Sequence, residues 1–173
     1  GYESDSYYFS PRALDCLRSG LPGAEFVDAD LLVNWQRLVK SEAEIEMMRG
    51  AARIAEATMQ CAFDGARPGV RQCDLMAEVV ATQVRGTPQR GGDMAAIHPL
   101  ILAGEAAITA HPMWTDALLA DGQTIAFELG GCMKRYNVGL ARTVHLGTLS
   151  DELRRTAAAV EEGMAAVMDS LKP

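Results

Sequence analysis

The sequence predicts an α+β fold in which two helices precede a small antiparallel sheet and one helix closes it. Three observations carry that expectation. Apolar residues recur at three- and four-residue steps across 45–62 and again across 153–171, the spacing of one helix face. Between them lie short apolar runs bounded by Gly, Asp and polar clusters, the signature of strands. The composition, 49% hydrophobic and 23% charged over 173 residues, suits one sizeable buried core.

The elements follow in order. A short helix is expected over 11–19, with Pro11 at a first-turn position and Gly20 just past the end. A strand is expected over 25–27. Ser41-Glu42-Ala43-Glu44 reads as a capping box, in which the Ser41 hydroxyl takes the Glu44 amide and Glu44 reaches back. From there Ile45, Met48, Ala52, Ala55, Met59 and Ala62 form one stripe of a long helix, broken by Arg67-Pro68-Gly69. A second helix spans 72–84 and ends near Gly86. Residues 97–103 read as a buried strand, and 123–130 with 140–146 as paired strands joined by a polar connection. Leu153, Ala157, Val160, Met164, Val167 and Leu171 mark the closing helix.

Charge and cysteine usage exclude several function classes. The net charge is -7 with only 16 Lys and Arg, so the basic footprint of a nucleic-acid binder is missing. Cys16, Cys61, Cys73 and Cys132 are scattered without CxxC spacing, which argues against zinc clusters and for reduced thiols. No apolar run is long enough for a membrane span, and the first residues lack the charge and apolar pattern of a signal peptide. These readings together predict a cytoplasmic protein with no nucleic-acid and no membrane partner.

The most informative stretch is HPMWTDALLADGQTIAFELGGCMKRYNVGLARTVHLG, from His111 to Gly147. It resembles the pita-bread superfamily of methionine aminopeptidases, Xaa-Pro peptidases, creatinase and ectoine hydrolase. There a His precedes a hairpin patterned Asp-x-Gly, a connection, then Asp-x-x-Arg-Thr-x-x-x-Gly. Here the His matches His111, the first Asp position holds Glu128, and the tail is Arg142-Thr143-Val144-His145-Leu146-Gly147. The second Asp position, three before Arg142, holds Gly139, which has no side chain with which to bind a metal.

That departure looks like the metal-free creatinase and ectoine hydrolase branch, which implies neither metal nor other cofactor. The resemblance further implies that 1–38 are the end of an N-terminal α/β domain and its linker, and that 39–173 are the first half of a pita-bread catalytic domain. The family continues beyond Pro173 into a second half, so a fragment is expected. It would be inactive alone, with an apolar sheet face uncovered. The full-length parent is expected to be a homodimer acting on a small molecule.

His111 is the candidate proton shuttle, because imidazole titrates nearest working pH; the alternative is a structural histidine. Glu128 sits inside an apolar strand, where a carboxylate is costly unless it meets a cation or donors. It therefore reads either as a catalytic group or as a structural partner of an Arg such as Arg142. Arg142 can also pin a substrate carboxylate through two parallel hydrogen bonds. Tyr136 and His98 complete the candidate substrate-binding set, while Lys134 and Arg135 read as a solvated hairpin tip and His145 as surface or satisfied core. Cys132 beside Gly130-Gly131 is a weak nucleophile signal, since no base accompanies it.

The functional expectation is a metal-independent hydrolase of a C–N bond at an amidine or guanidine carbon. A delocalised cation would be repelled by two metal ions, whereas carboxylates can accept from its N–H groups. The words HPMWTD, KRYN and LARTVHLG look closest to the ectoine hydrolase group, which implies ectoine ring opening. The alternatives are an Xaa-Pro metallopeptidase with Glu128 as a substitute ligand, and a non-catalytic binding module.

Overall fold

The structure is a computed structural model that describes residues 1–96 and 98–172. The chain divides into two compact units, Gly1–Ile45 and Glu46–Pro173.

The first unit contains two short helices. Helix α1, Pro11–Gly20, starts where expected: the Ser10 hydroxyl accepts from the Ala13 amide at 3.2 Å, and Pro11 occupies the first turn. The expected strand over 25–27 does not form. A single bridge joins Tyr2 to Asp28, held by Tyr2 N–H to Val27 O at 3.0 Å and Ala29 N–H to Tyr2 O at 2.6 Å. One bridge offers no neighbour along which pairing can propagate. Helix α2, Leu32–Leu38, was not anticipated; the Val33 amide at its start donates to the Glu3 carboxylate at 2.9 Å. The capping box forms as read, with Ser41 N–H donating to Glu44 Oε2 at 2.7 Å and Glu44 N–H to Ser41 Oγ at 3.4 Å.

Helix α3, Glu42–Gly65, buries Ala51, Ile54, Ala55, Thr58, Met59 and Ala62, the face that the apolar spacing marks. Helix α4, Gln72–Arg85, buries Leu75, Met76 and Val79, and ends at Gly86 with φ 68°. It lacks a side-chain cap at its start. Its first amides are satisfied instead by the chain that follows His111: Gln72 N–H donates to Ala117 O at 3.0 Å and Cys73 N–H to Thr115 O at 3.1 Å.

Strand β1 is Leu100–Ala103, β2 is Thr124–Met133 and β3 is Tyr136–His145, in the antiparallel order β1-β2-β3. Ile97, where the first strand was expected to begin, lies outside the described residues, as does Pro173. The polar connection expected between β2 and β3 shrinks to a two-residue turn, so both strands are longer than predicted. Lys134 and Arg135 both take positive φ, 52° and 70°, as a type I′ hairpin turn requires. The sequence signal was weak because neither residue favours that region.

Ile125, Phe127 and Leu129 of β2 point into the core with Ile101, Met59, Met76 and Val79. The opposite face of β2 and β3 carries Thr124, Ala126, Glu128 and Gly130 beside Asn137, Gly139, Ala141, Thr143 and His145, since directly paired residues share a face. That face is small and polar rather than apolar, contrary to expectation. Helix α5, Asp151–Ser170, does expose large apolar side chains, among them Val160, Met164, Val167 and Met168. The α5 spacing therefore marks a stripe that stays exposed here.

Gly131 explains how closely α3 approaches the sheet. A Cβ there would collide with the backbone of Ala51 and Ala55, while one on Gly139 would meet nothing within 4 Å. Gly131→Ala is expected to destabilise the protein by about 1–3 kcal/mol, because backbone rather than a flexible side chain must yield. Gly139→Ala is expected to stay within about 0.5 kcal/mol of the parent. Denaturant midpoints of the two variants check the contrast, and equal midpoints would refute it.

At the start of α4, Arg71 grips Asp74 through Nε to Oδ2 at 2.8 Å and Nη2 to Oδ1 at 2.7 Å. Hydrogen bonds from Arg71 hold the Asp74 carboxyl below the usual carboxylate range. Its contribution to stability is therefore complete above the unfolded-state value and disappears as pH falls through the lower folded value. Asp74→Ala should lower the urea midpoint at neutral pH, and the gap to the parent should close in acid. A gap independent of pH would refute this account.

Candidate functional site

The alternation of β2 places Glu128 on the open face because Phe127 and Leu129, on either side of it, are buried on the other. Its neighbours across the sheet are Leu100 of β1 and Ala141 of β3. The side chain is 45% exposed, which spares the carboxylate the full cost of desolvation.

His111 approaches from a different part of the chain. It follows a 3-10 turn, Gly104–Ile108, and takes φ 52°, an uncommon conformation for a residue with a Cβ. The segment after it is fixed along the start of α4, with Leu119 N–H also donating to Val70 O at 2.8 Å and Trp114 packed on the core. His111 Nε2 lies 3.9 Å from Glu128 Oε2. That separation exceeds a hydrogen bond and leaves room for a bridging polar group to use both.

Beside Glu128 lies a cavity of about 360 Å³. Its walls include His98, Ala95 and Ala96 on one side and Gly130, Asn137, Gly139 and Ala141 on the sheet. Glu128 is the one acidic side chain among the lining residues, so the hollow favours a small cation. The absence of side chains at Gly130 and Gly139, which pair directly, makes the floor of the hollow.

Of the residues singled out from sequence, the structure brings together His98, His111 and Glu128. It does not bring Tyr136 or Arg142 to them. Arg142 pairs with Phe127 and Tyr136 with Met133, so both belong to the opposite face. Arg142 is exposed, and its Nη1 donates to Ala141 O at 2.7 Å. The alternative of Arg142 as the structural partner of Glu128 meets the same obstacle. His145 is on the Glu128 face, its Nδ1 3.0 Å from Thr124 Oγ1, a satisfied position as anticipated. Cys132 is buried, and burial pushes its thiol up, against a nucleophilic role.

Sequence reasoning gave no role to Asn137, which lines the cavity. The signal was present: Asn is depleted within strands, so an Asn early in one invites a reason. Gly147, the last residue of the motif, has φ 106°, and a Cβ there would press on the Asp121 carboxylate. Its place in the motif is thus a backbone requirement.

A two-metal hydrolytic centre needs several hard oxygen donors converging on one point. Among the described residues no group of three or more His, Cys, Asp or Glu side chains is placed to hold a metal ion. The cavity wall offers one carboxylate, and position 139 offers none. Among the described residues the donors do not fit such a centre.

Comparison with known proteins gives a consistent result. The sequence profile of metallopeptidase family M24 matches residues 46–173. An uncharacterized hydrolase/peptidase of Sinorhizobium fredii is 39% identical over 173 residues, covering 100% of this chain and 44% of that protein. The ectoine hydrolase of Halomonas elongata is 37% identical over 178 residues, covering 100% of this chain and 45% of that protein. Among solved structures, the prolidase from Pyrococcus horikoshii superposes with a TM-score of 0.87 at 22% identity, over 99% of this chain and 47% of that one. That likeness shows the fold: the α+β half seen here is shared with the pita-bread prolidases. The chain spans under half the length of the relatives it matches.

Proposed function

The chain belongs to metallopeptidase family M24, and from that premise we propose that the full-length protein is a metal-independent hydrolase of the C–N bond at an amidine or guanidine carbon, with ectoine as its substrate. One observation carries the reading. The cavity presents a single carboxylate, Glu128, above a floor left open by Gly139, so its chemistry suits a flat cation better than a pair of metal ions. The 37% identity to an ectoine hydrolase supports the choice of substrate.

Glu128 accepts hydrogen bonds from the N–H groups of the bound amidinium and orients its carbon. In this reading His111, 3.9 Å from that carboxylate, takes a proton from the attacking water. The hydroxyl adds to the amidine carbon, the C–N bond breaks, and the proton passes to the leaving nitrogen. For a cyclic amidine the product is an open-chain amide carrying a free amine. His98, across the cavity, contributes to substrate binding. Tyr136 and Arg142 pair with Met133 and Phe127 and so belong by register to the other face of the hairpin.

The same reading takes 1–38 as the end of an N-terminal domain and 39–173 as the first half of the catalytic domain. It makes the whole protein a cytoplasmic homodimer, with further carboxylates supplied by its second half. The four free cysteines are in keeping with a reducing compartment. The competing reading is an Xaa-Pro metallopeptidase in which Glu128 binds metal, favoured by the shared fold with prolidases.

Elemental analysis separates the two. The purified full-length protein is expected to hold no stoichiometric transition metal and to keep its activity in chelator. Two bound metals with activity lost to chelation would establish the peptidase instead.

His111→Ala is expected to lower kcat on ectoine by roughly 10²-fold or more, the usual contribution of general acid–base catalysis. Glu128→Gln should mainly raise KM, because it removes the charge that meets the cation. Unchanged turnover in a folded His111→Ala protein would make that histidine structural.

A further inference from the structure

Strand β1 stops at Leu100, opposite Glu128, so β2 beyond that point has no strand on that side. The backbone there is not left open. The buried side chain of Gln83 reaches across from α4 and donates to Gly130 O. Two residues on, Cys132 O accepts from Asp93 N–H at 3.0 Å. A side chain and then a loop thus continue the edge that β1 abandons.

The loop is held at further points. Gly92 N–H donates to Val84 O at 3.1 Å, and the Asp93 carboxylate accepts from Lys134 N–H at 2.6 Å at the hairpin tip. Asn137 makes the last tie. Its Oδ1 accepts from Ala96 N–H at 3.1 Å, while its Nδ2 donates to Arg135 O, also at 3.1 Å. Both polar ends of this side chain are therefore engaged with backbone, Oδ1 with the loop and Nδ2 with the hairpin turn. Ala95, Ala96 and His98 line the cavity together with Gly139.

We infer that Asn137 is a positioning residue of the site: its side-chain amide clamps the loop at Ala96 against the hairpin, fixing the wall that carries His98 and so the width of the substrate cavity. The inference rests on the cavity being the substrate site. The Asn137 clamp acts through the loop, not on the substrate. Its loss should therefore affect substrate fit more than the chemical step. An Asp at this position would keep the acceptor for Ala96 and lose the donor to Arg135, so it should rescue in part.

The test compares Asn137→Leu, a substitution of similar size with no polar group, with Asn137→Asp in the full-length protein. Amide hydrogen exchange is read at Ala96 and steady-state kinetics on ectoine. Asn137→Leu is expected to speed exchange at Ala96 by roughly tenfold while amides in α3 keep their protection. It should raise KM by roughly tenfold with a much smaller change in kcat, and Asn137→Asp should fall between it and the parent. Unchanged exchange at Ala96 would overturn the clamp. Faster exchange with unaltered KM would overturn its role in the site. A parent protein that binds and turns over no ectoine would count against the substrate reading alone, and the exchange data would then decide the clamp by themselves.

Discussion

Everything in the larger unit depends on the two faces of strand β2. Its alternation sends Ile125, Phe127 and Leu129 into the core beneath α3 and α4, and the same geometry sends Glu128 and Gly130 to the open side. A shift of one residue in register would exchange the two sets, burying the carboxylate and exposing Phe127. The core therefore fixes the direction of Glu128 as strictly as any local contact could. Gly131 adds to this constraint, since only a residue without Cβ lets α3 lie so close to the strand.

That dependence separates the roles of the motif residues. Gly147 and Gly131 serve the backbone, whereas Glu128 and His111 approach each other at 3.9 Å on the open side of the sheet. Arg142, despite its place in the motif, is held on the face away from the cavity by its pairing with Phe127. Gly139 differs from Gly131 and Gly147 in that nothing nearby forbids a side chain there. The open space at 139 thus reflects what the cavity admits and not what the fold demands.

The end of β1 has a matching consequence. An edge left unpaired costs unsatisfied backbone groups, and the chain meets this cost with Gln83 and the loop at Asp93 instead of more strand. Because a loop can take turns that a strand cannot, the edge carries Ala95, Ala96 and His98 beside the cavity. The hairpin turn in the left-handed conformation at Lys134 and Arg135 costs roughly 1 kcal/mol per residue or more, and the Asp93 carboxylate accepting from Lys134 N–H offsets part of it.

The sequence by itself determined helices α1, α3, α4 and α5, the hairpin and the motif positions. Periodicity and capping are local: the stripe on α3, the Ser41–Glu44 box, and the Gly86 terminus each depend on residues a few positions apart. The carboxylate at 128 and the lack of a side chain at 139 were likewise legible residue by residue. Only the tertiary structure decided which of the candidates share a face. Whether Tyr136 and Arg142 meet Glu128 depends on strand register, which one residue more or less in the turn would reverse. The role of Asn137 depends on a loop 41 residues earlier in the chain, and the 3.9 Å approach of His111 on backbone bonds between the chain after it and the start of α4. Such long-range pairings leave no periodic trace in the sequence, because they are set by the packing of whole elements and not by neighbouring residues.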